Sequence, residues 1–354
     1  MVDWKSSMTQ SFEYYIVDPG TWTNKERLNN VISCTINRDY ESETLGSATI
    51  DIYGKELDTE CYIRAYLITI QKGVQEKHPL GTFLVQSPSN KFNGHKNSVS
   101  VDAYTPLMEL KDSRPPLGYY VPKNENIMDY AYRLTREHVK APVVEAKRDI
   151  TLYNDYVSSL DDNWMSFITD LMSNARYKFS LDEMGRILFE PEQASISLRP
   201  VWTYDDDNSS ILYPEISVDK DLYGIPNAVE VIYSHDKGFL YSKIVNDSMY
   251  SPTSTVNRGR ETLYRDTSPS IVGTPTQELV DQYASNLLYK LSTQECIISY
   301  THGYCPTRIG DCVRLNYERA KLNGITAKVI RQSIKCEPGC PVVETAVYTE
   351  NMWG

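Results

Sequence analysis

Residues 306–348, PTRIGDCVRLNYERAKLNGITAKVIRQSIKCEPGCPVVETAVY, decide the fold class. Short runs of Val, Ile, Leu and Tyr alternate with charged or turn-forming residues, so DCVRLNY, ITAKVIRQSIKC and VVETAVY read as strands. With the preceding ECIISYTHGY they make four. CEPGC, residues 336–340, is then the turn between the last two strands, because Pro and Gly supply a tight reversal. The chain opens in the same way. FEYYIVD, NVISCTINRDY, GSATIDIYG, ECYIRAYLITIQKG, HPLGTFLVQSPS and NSVSVDAYTPL predict six strands, with a hairpin tip at NKFNGHKN. Six strands in about 110 residues fit a small barrel or sandwich.

At SRPPLGYYVPKNEN the pattern changes. Pro115, Pro116, Gly118 and Pro122 suit neither a helix nor a central strand, and a domain boundary is placed there. Asn124 is the expected cap of a helix carrying Ile127, Ala131 and Leu134 on one stripe. Asp161 or Asp162 is the expected cap of a second, with Trp164, Ile168, Leu171 and Ala175. RYKFSLDEMGRILFEPE alternates on both sides of DEMG, a hairpin turning at Gly185. This middle domain is α+β. YPEISVD and NAVEVIYSH return to strand, and a polar stretch runs from Asn246 to Thr274. Thr274, Pro275 and Gln277 mark the start of a last helix with Leu279, Tyr283, Leu287 and Leu291 on its packed face. The expected class is mainly β, with two small β-barrels plus helix-containing inserted domains. Its divisions are 1–112, 113–218, 219–240 with 293–354, and an inserted segment 241–292.

A chain of 354 residues is long enough for two or three domains. No apolar run approaches the roughly 20 residues of a membrane span, and the N-terminus lacks a secretory signal, so a soluble protein made in a cytoplasm is expected. The net charge of −11 argues against a surface built to hold nucleic-acid phosphates. Residues 145–221 carry 16 Asp or Glu against 7 Lys or Arg, which concentrates the negative charge in the middle. The 27 Tyr against 7 Phe favour rings that pack while their hydroxyls reach water or a partner, as on one-face-buried sheets and at interfaces.

Catalytic patterns are sparse. The seven cysteines, Cys34, Cys61, Cys296, Cys305, Cys312, Cys336 and Cys340, are an odd number spread along a large chain, and reduced thiols are expected. Cys336 and Cys340 could pair, or bind zinc together with Cys305 and His302; the turn reading is preferred. The five histidines, His78, His95, His138, His235 and His302, stand in unrelated contexts, and no G-x-S-x-G, Walker loop, G-x-G-x-x-G or H-E-x-x-H occurs. Asp205, Asp206, Asp207 and Glu215 lie among Trp202, Tyr204 and Tyr213, a composition that also suits a glycan-facing loop. No catalytic, cofactor or metal residue is assigned.

The order of these elements resembles the baseplate hub proteins of tailed phages, a family also found in related injection devices. Four passages carry the likeness: PLGTFLVQS leading to VSVDAYTPLMEL; WMSFITDLMSNARYKFSLDEMGRILFEP; YGIPNAVEVIYS; and the run from YASNLLYKL to RIGDCVRLNY. The resemblance implies a structural, non-enzymatic virion protein of the tail baseplate, made in the host bacterial cytoplasm and working without cofactors. Three copies would form a ring in which two related barrels per chain give six similar seats. The implied partners are other copies of the chain, the tail tube or a distal tail protein, a central spike or tail-tip protein and the tape measure protein. DNA would only pass through the channel, and no membrane insertion is implied. The rival reading is a tail protein that binds cell wall or hydrolyses glycans.

Overall fold

The computed structural model describes residues 2–353 except 55, 56, 58, 93, 95, 96, 193–198, 236, 237 and 272–275. Strands account for 48 % of the chain and helices for 15 %, which makes it mainly β. The N-terminal strands are β1 (Thr9–Val17), β2 (Asn24–Leu28), β3 (Val31–Asp39), β4 (Gly46–Tyr53), β5 (Tyr62–Gln71), β6 (Val74–Phe92) and β7 (Asn97–Tyr104). A short helix α1 (Met108–Asp112), β8 (Tyr120–Val121), α2 (Ile127–His138), β9 (Tyr156–Val157) and α3 (Trp164–Ser173) follow. Next come the hairpin β10 (Tyr177–Leu181) and β11 (Ile187–Pro191), then β12 (Pro200–Asp205), β13 (Leu212–Lys220), β14 (Ala228–His235) and β15 (Gly238–Val245). The chain continues through α4 (Thr255–Arg258), β16 (Leu263–Asp266) and α5 (Gln277–Leu291). It closes with β17 (Thr293–Gly303), β18 (Cys312–Tyr317), β19 (Leu322–Lys335) and β20 (Pro341–Asn351).

The chain divides into two compact units, residues 1–216 with 300–345, and residues 217–299 with 346–354. The main sheet runs β13-β17-β20-β19-β3-β4-β7-β6-β5-β1-β2, with β18 branching from β19 and β12 lying parallel to β18. Pairing among the described residues leaves this path open at both ends, so neither expected barrel is traced as a closed cylinder.

In the first unit, alternation along the strands buries Ile36, Ile50, Ile52, Val99, Val101 and Ala103 in one apolar core. A second core forms where α2 and α3 pack together with the β10–β11 hairpin. Ile127, Ala131 and Leu134, and Trp164, Ile168, Leu171 and Ala175, are all buried there as the helical spacing requires. The caps differ from expectation. Asn126, not Asn124, accepts from the backbone N–H groups of Met128 and Asp129, and Asn124 instead occupies the left-handed region at φ 68°. Asn163, not Asp161 or Asp162, caps α3 through a reciprocal pair with Ser166.

In the second unit α5 lies on β14 and β15. Its fully buried stripe is Val280, Ala284 and Leu288, one position beyond the expected one. Leu279 is exposed, while Tyr283, Leu287 and Leu291 flank the contact. The small Ala284 at the centre lets the helix approach Val229 and Val231, which longer side chains there would prevent. The cap is Thr276, whose hydroxyl accepts from Leu279 N–H; Thr274 and Pro275 lie outside the described residues. Asn227, in the YGIPNAVEVIYS passage, is fully buried and donates to Thr253 O and Arg260 O while accepting from Thr262 N–H. It thereby fixes the polar stretch that contains β16.

Candidate functional site: a sealed polar cluster

The densest group of chemically capable side chains lies inside the first unit. Along β17 the period of two that buries Ile298 also turns Tyr300 and His302 inward, and along β20 the parity of Val342 and Ala346 turns Glu344 inward. Gln332 comes from β19, Tyr204 from β12, and Cys305 and Thr307 from the connection before β18. All seven are buried.

Glu344 is the centre. One carboxylate oxygen accepts from Gln332 Nε2 at 2.7 Å, from Thr307 Oγ1 at 3.2 Å and from His302 Nε2 at 3.3 Å. The other accepts from the Tyr300 hydroxyl. Burial alone would raise its pKa, but the His302 imidazolium and these donors outweigh burial and hold it below the ordinary carboxylate value. Burial likewise opposes a charged His302, and the Glu344 charge more than offsets this, pushing His302 up to about 10. His302 is therefore an imidazolium at neutral pH. Its Nδ1–H donates to Gly303 O at 2.7 Å, and Tyr204 Oη lies 3.1 Å from Nε2 and 3.3 Å from Cys305 Sγ. Burial and the nearby carboxylate drive the phenols of Tyr204 and Tyr300 well above their usual range.

Cys305, His302 and Glu344 stand in the order nucleophile, base and orienting acid, with Sγ 3.8 Å from Nδ1. Two features disqualify the set as a catalytic centre. Both ring nitrogens are protonated, so the imidazole has no lone pair to take the thiol proton, and Cys305, His302 and Glu344 present essentially no surface to a substrate. The cluster is an ionic lock. It extends to β3, where Arg38 donates to Gln332 Oε1 at 3.1 Å and to Leu80 O at 2.7 Å.

The residues singled out in the sequence do not converge elsewhere. Tyr204 belongs to the lock and offers no ring face to a sugar. Asp206 is held by Arg319, Asp207 caps the backbone of Ser209, and Asp205 accepts from Asn316 and Lys5. Tyr213 and Glu215 lie on β13, and Trp202 is half-buried. The four candidate zinc ligands fall into two groups. Cys305 sits with His302, whereas Cys336 interacts with Cys34 beside Tyr14. All seven cysteines are free thiols, so Cys336 and Cys340 are not paired. Among the described residues no group of three or more His, Cys, Asp and Glu is arranged to hold a metal ion. CEPGC is the turn between β19 and β20, with Cys340 packed in the apolar core. His78 lies edge-on to Trp4 and close to the Thr69 hydroxyl, His138 stacks on Trp164, His235 ends β14, and His95 lies outside the described residues. Among the described residues no helix is long and apolar enough to cross a membrane.

The fold is similar to those of solved tail proteins. A tail protein from Neisseria meningitidis MC58 aligns over 98 % of both chains with a TM-score of 0.59 at 12 % identity. The 43 kDa tail protein of prophage MuSo2 from Shewanella oneidensis aligns over 95 % of this chain and 98 % of its own, with a TM-score of 0.55 at 11 % identity. A chain of the lidded Francisella PdpA–VgrG complex covers 98 % of this one with 53 % of its length, at a TM-score of 0.54 and 7 % identity. The expected likeness to phage tail proteins thus holds at the level of the fold. No family model and no curated protein matches the sequence.

Proposed function

We propose that this protein is a structural hub of a tail baseplate. Three copies close a ring that joins the tail tube, or a distal tail protein, to a central spike or tail-tip protein. The observation that carries this reading is the end-to-end backbone likeness to tail proteins, with 98 % of both chains aligned in one case. In the proposal residues 1–112 and residues 219–240 with 293–354 are two related β-barrels occupying six similar seats. A threefold object then mates with a sixfold tube, because the interface repeats every 60° or so while the chain repeats every 120°. The α+β segment 113–218 and the insertion 241–292 decorate the ring and meet the spike, and the tape measure protein is a further partner. DNA passes through the channel without being bound, in keeping with the net negative charge.

A non-enzymatic role is supported by the protonated, sealed state of the Cys305, His302 and Glu344 arrangement. Exposed Tyr153, Tyr223 and Tyr250 suit a protein whose work is done by contact surfaces. Electron-microscopy class averages of the purified protein at high concentration test the proposal, since a threefold ring with a central pore is expected. Compact monomers that persist when the cognate tail-tube protein is added would overturn it.

A further inference from the structure

A cavity of about 310 Å³ opens in the first unit between the β10–β11 hairpin, the start of β4, β6 and the segment leading into β18. That size suits a small organic ligand. Its apolar wall includes Leu45, Leu80, Phe83 and Phe179, and at one side stands Tyr40. Two ammonium groups converge on the Tyr40 ring, Lys178 Nζ at 3.3 Å and Lys328 Nζ at 3.9 Å from its centroid. Neither lysine has an ion-pair partner among the described residues. Two like charges held at one ring in a partly closed space repel each other, and a nearby anion would relieve that repulsion. Tyr40 already responds to this field. Burial would raise its phenol pKa, and the two ammoniums reverse the shift and lower it.

Three of the four cavity carboxylates are engaged. Asp182 is bound by Arg186, Glu183 pairs with Arg308, and Asp311 accepts from Arg308 N–H; the fourth, Glu190, is exposed and stands opposite Lys178 on the hairpin. The shape is also fixed in advance. The hairpin tip is pinned through Met184 O, which accepts from Trp22 Nε1 at 2.8 Å, from Thr82 Oγ1 at 2.9 Å and from Arg64 Nη2 at 3.1 Å. Arg64 is itself buried and donates to Thr82 at 2.7 Å. Gly310 leaves room for the Tyr40 ring, which a Cβ there would meet at 3.1 Å.

We propose that this cavity binds a small amphipathic anion, a carboxylate or phosphate on a compact apolar body, with Lys178 and Lys328 holding the charge. The site is independent of the hub reading. Calorimetric titration of the full chain with 1-naphthyl phosphate, 1-naphthoate and the neutral 1-naphthalenemethanol tests it. At least one of the two anions is expected to bind saturably at one site per chain, and their ranking tells a phosphate site from a carboxylate site. The neutral compound should bind about tenfold or more weaker. Lys178→Gln and Lys328→Gln should each weaken anion binding about tenfold, whereas Lys178→Arg, Lys328→Arg and Lys290→Gln, at an exposed lysine that does not line the cavity, should retain it. The proposal fails if neither anion saturates, if the neutral compound binds equally well, or if the folded Lys→Gln variants keep wild-type affinity.

Discussion

Between β4 and β7 the interior is filled by Ile50, Ile52, Val99 and Val101, whereas between β17 and β20 it holds Tyr300, His302 and Glu344. Both regions are fully buried and belong to the same compact unit. They differ in what holds them shut. Apolar packing has no direction and answers to volume and lost surface. The polar lock answers to pairing, since every donor removed leaves a desolvated acceptor behind. The difference teaches that strand parity can bury a charged residue as firmly as an isoleucine, provided neighbouring strands bring its partners to the same height.

Removing the centre of the lock is the strongest way to break this contrast. Glu344→Ala leaves the His302 imidazolium buried without its counter-charge, and a loss of about 3–5 kcal/mol in urea denaturation is expected. Glu344→Gln should cost less, because it keeps the shape and part of the hydrogen bonding. The apolar counterpart, Ile50→Ala, should cost about 2–5 kcal/mol through lost transfer energy and a residual cavity. An equal loss at every pH would mark Ile50→Ala as a packing effect.

Acidity separates the two regions further. His302 has a folded pKa raised to about 10 from 6.5, so its contribution is complete below the unfolded value and fades as pH rises through the folded one. Glu344 has a lowered pKa, so its contribution is complete above the ordinary 4.5 and is lost as pH falls below that. The lock is therefore strongest between pH 4.5 and 6.5 and weakens toward pH 10. Denaturation midpoints measured across this range should fall on the alkaline side for the wild type, and the fall should flatten in Glu344→Gln. An unchanged alkaline slope in Glu344→Gln would remove His302 as its source.

Smaller effects sharpen the comparison. Asn163→Ala removes the reciprocal cap of α3 and should cost about 1 kcal/mol at any pH. Cys336→Ser, in the half-buried turn, should change stability by less than about 0.5 kcal/mol. Thiol titration should find Cys340 unreactive until the protein unfolds, because burial pushes its thiol up and removes it from reagent.

Much of the fold was legible. Six N-terminal strands, two helical stripes, the hairpin at Gly185 and the four closing strands all follow from period and turn chemistry. Three kinds of element were not. The polar β2, exposed at four of its five positions at the edge of the sheet, shows no alternation to read. β15 and β16 gain their order from pairing with β14, a partner 35 residues from β16 along the chain at Ala228↔Leu263. The lock left a trace in the sequence, because Glu344 and His302 share the inward parity of Val342, Ala346 and Ile298, yet nothing local told which residues would face them.

The amino-acid sequence by itself determined the strand and helix periods, the turns and the thiol chemistry, because these depend on neighbours a few residues apart. Only the tertiary structure decided that Tyr204, His302, Cys305, Gln332 and Glu344 meet, and that Lys178 and Lys328 converge on Tyr40. Tyr204 meets His302 across 98 positions and Lys328 meets Tyr40 across 288, and pairing geometry fixes such encounters where local propensity has no reach.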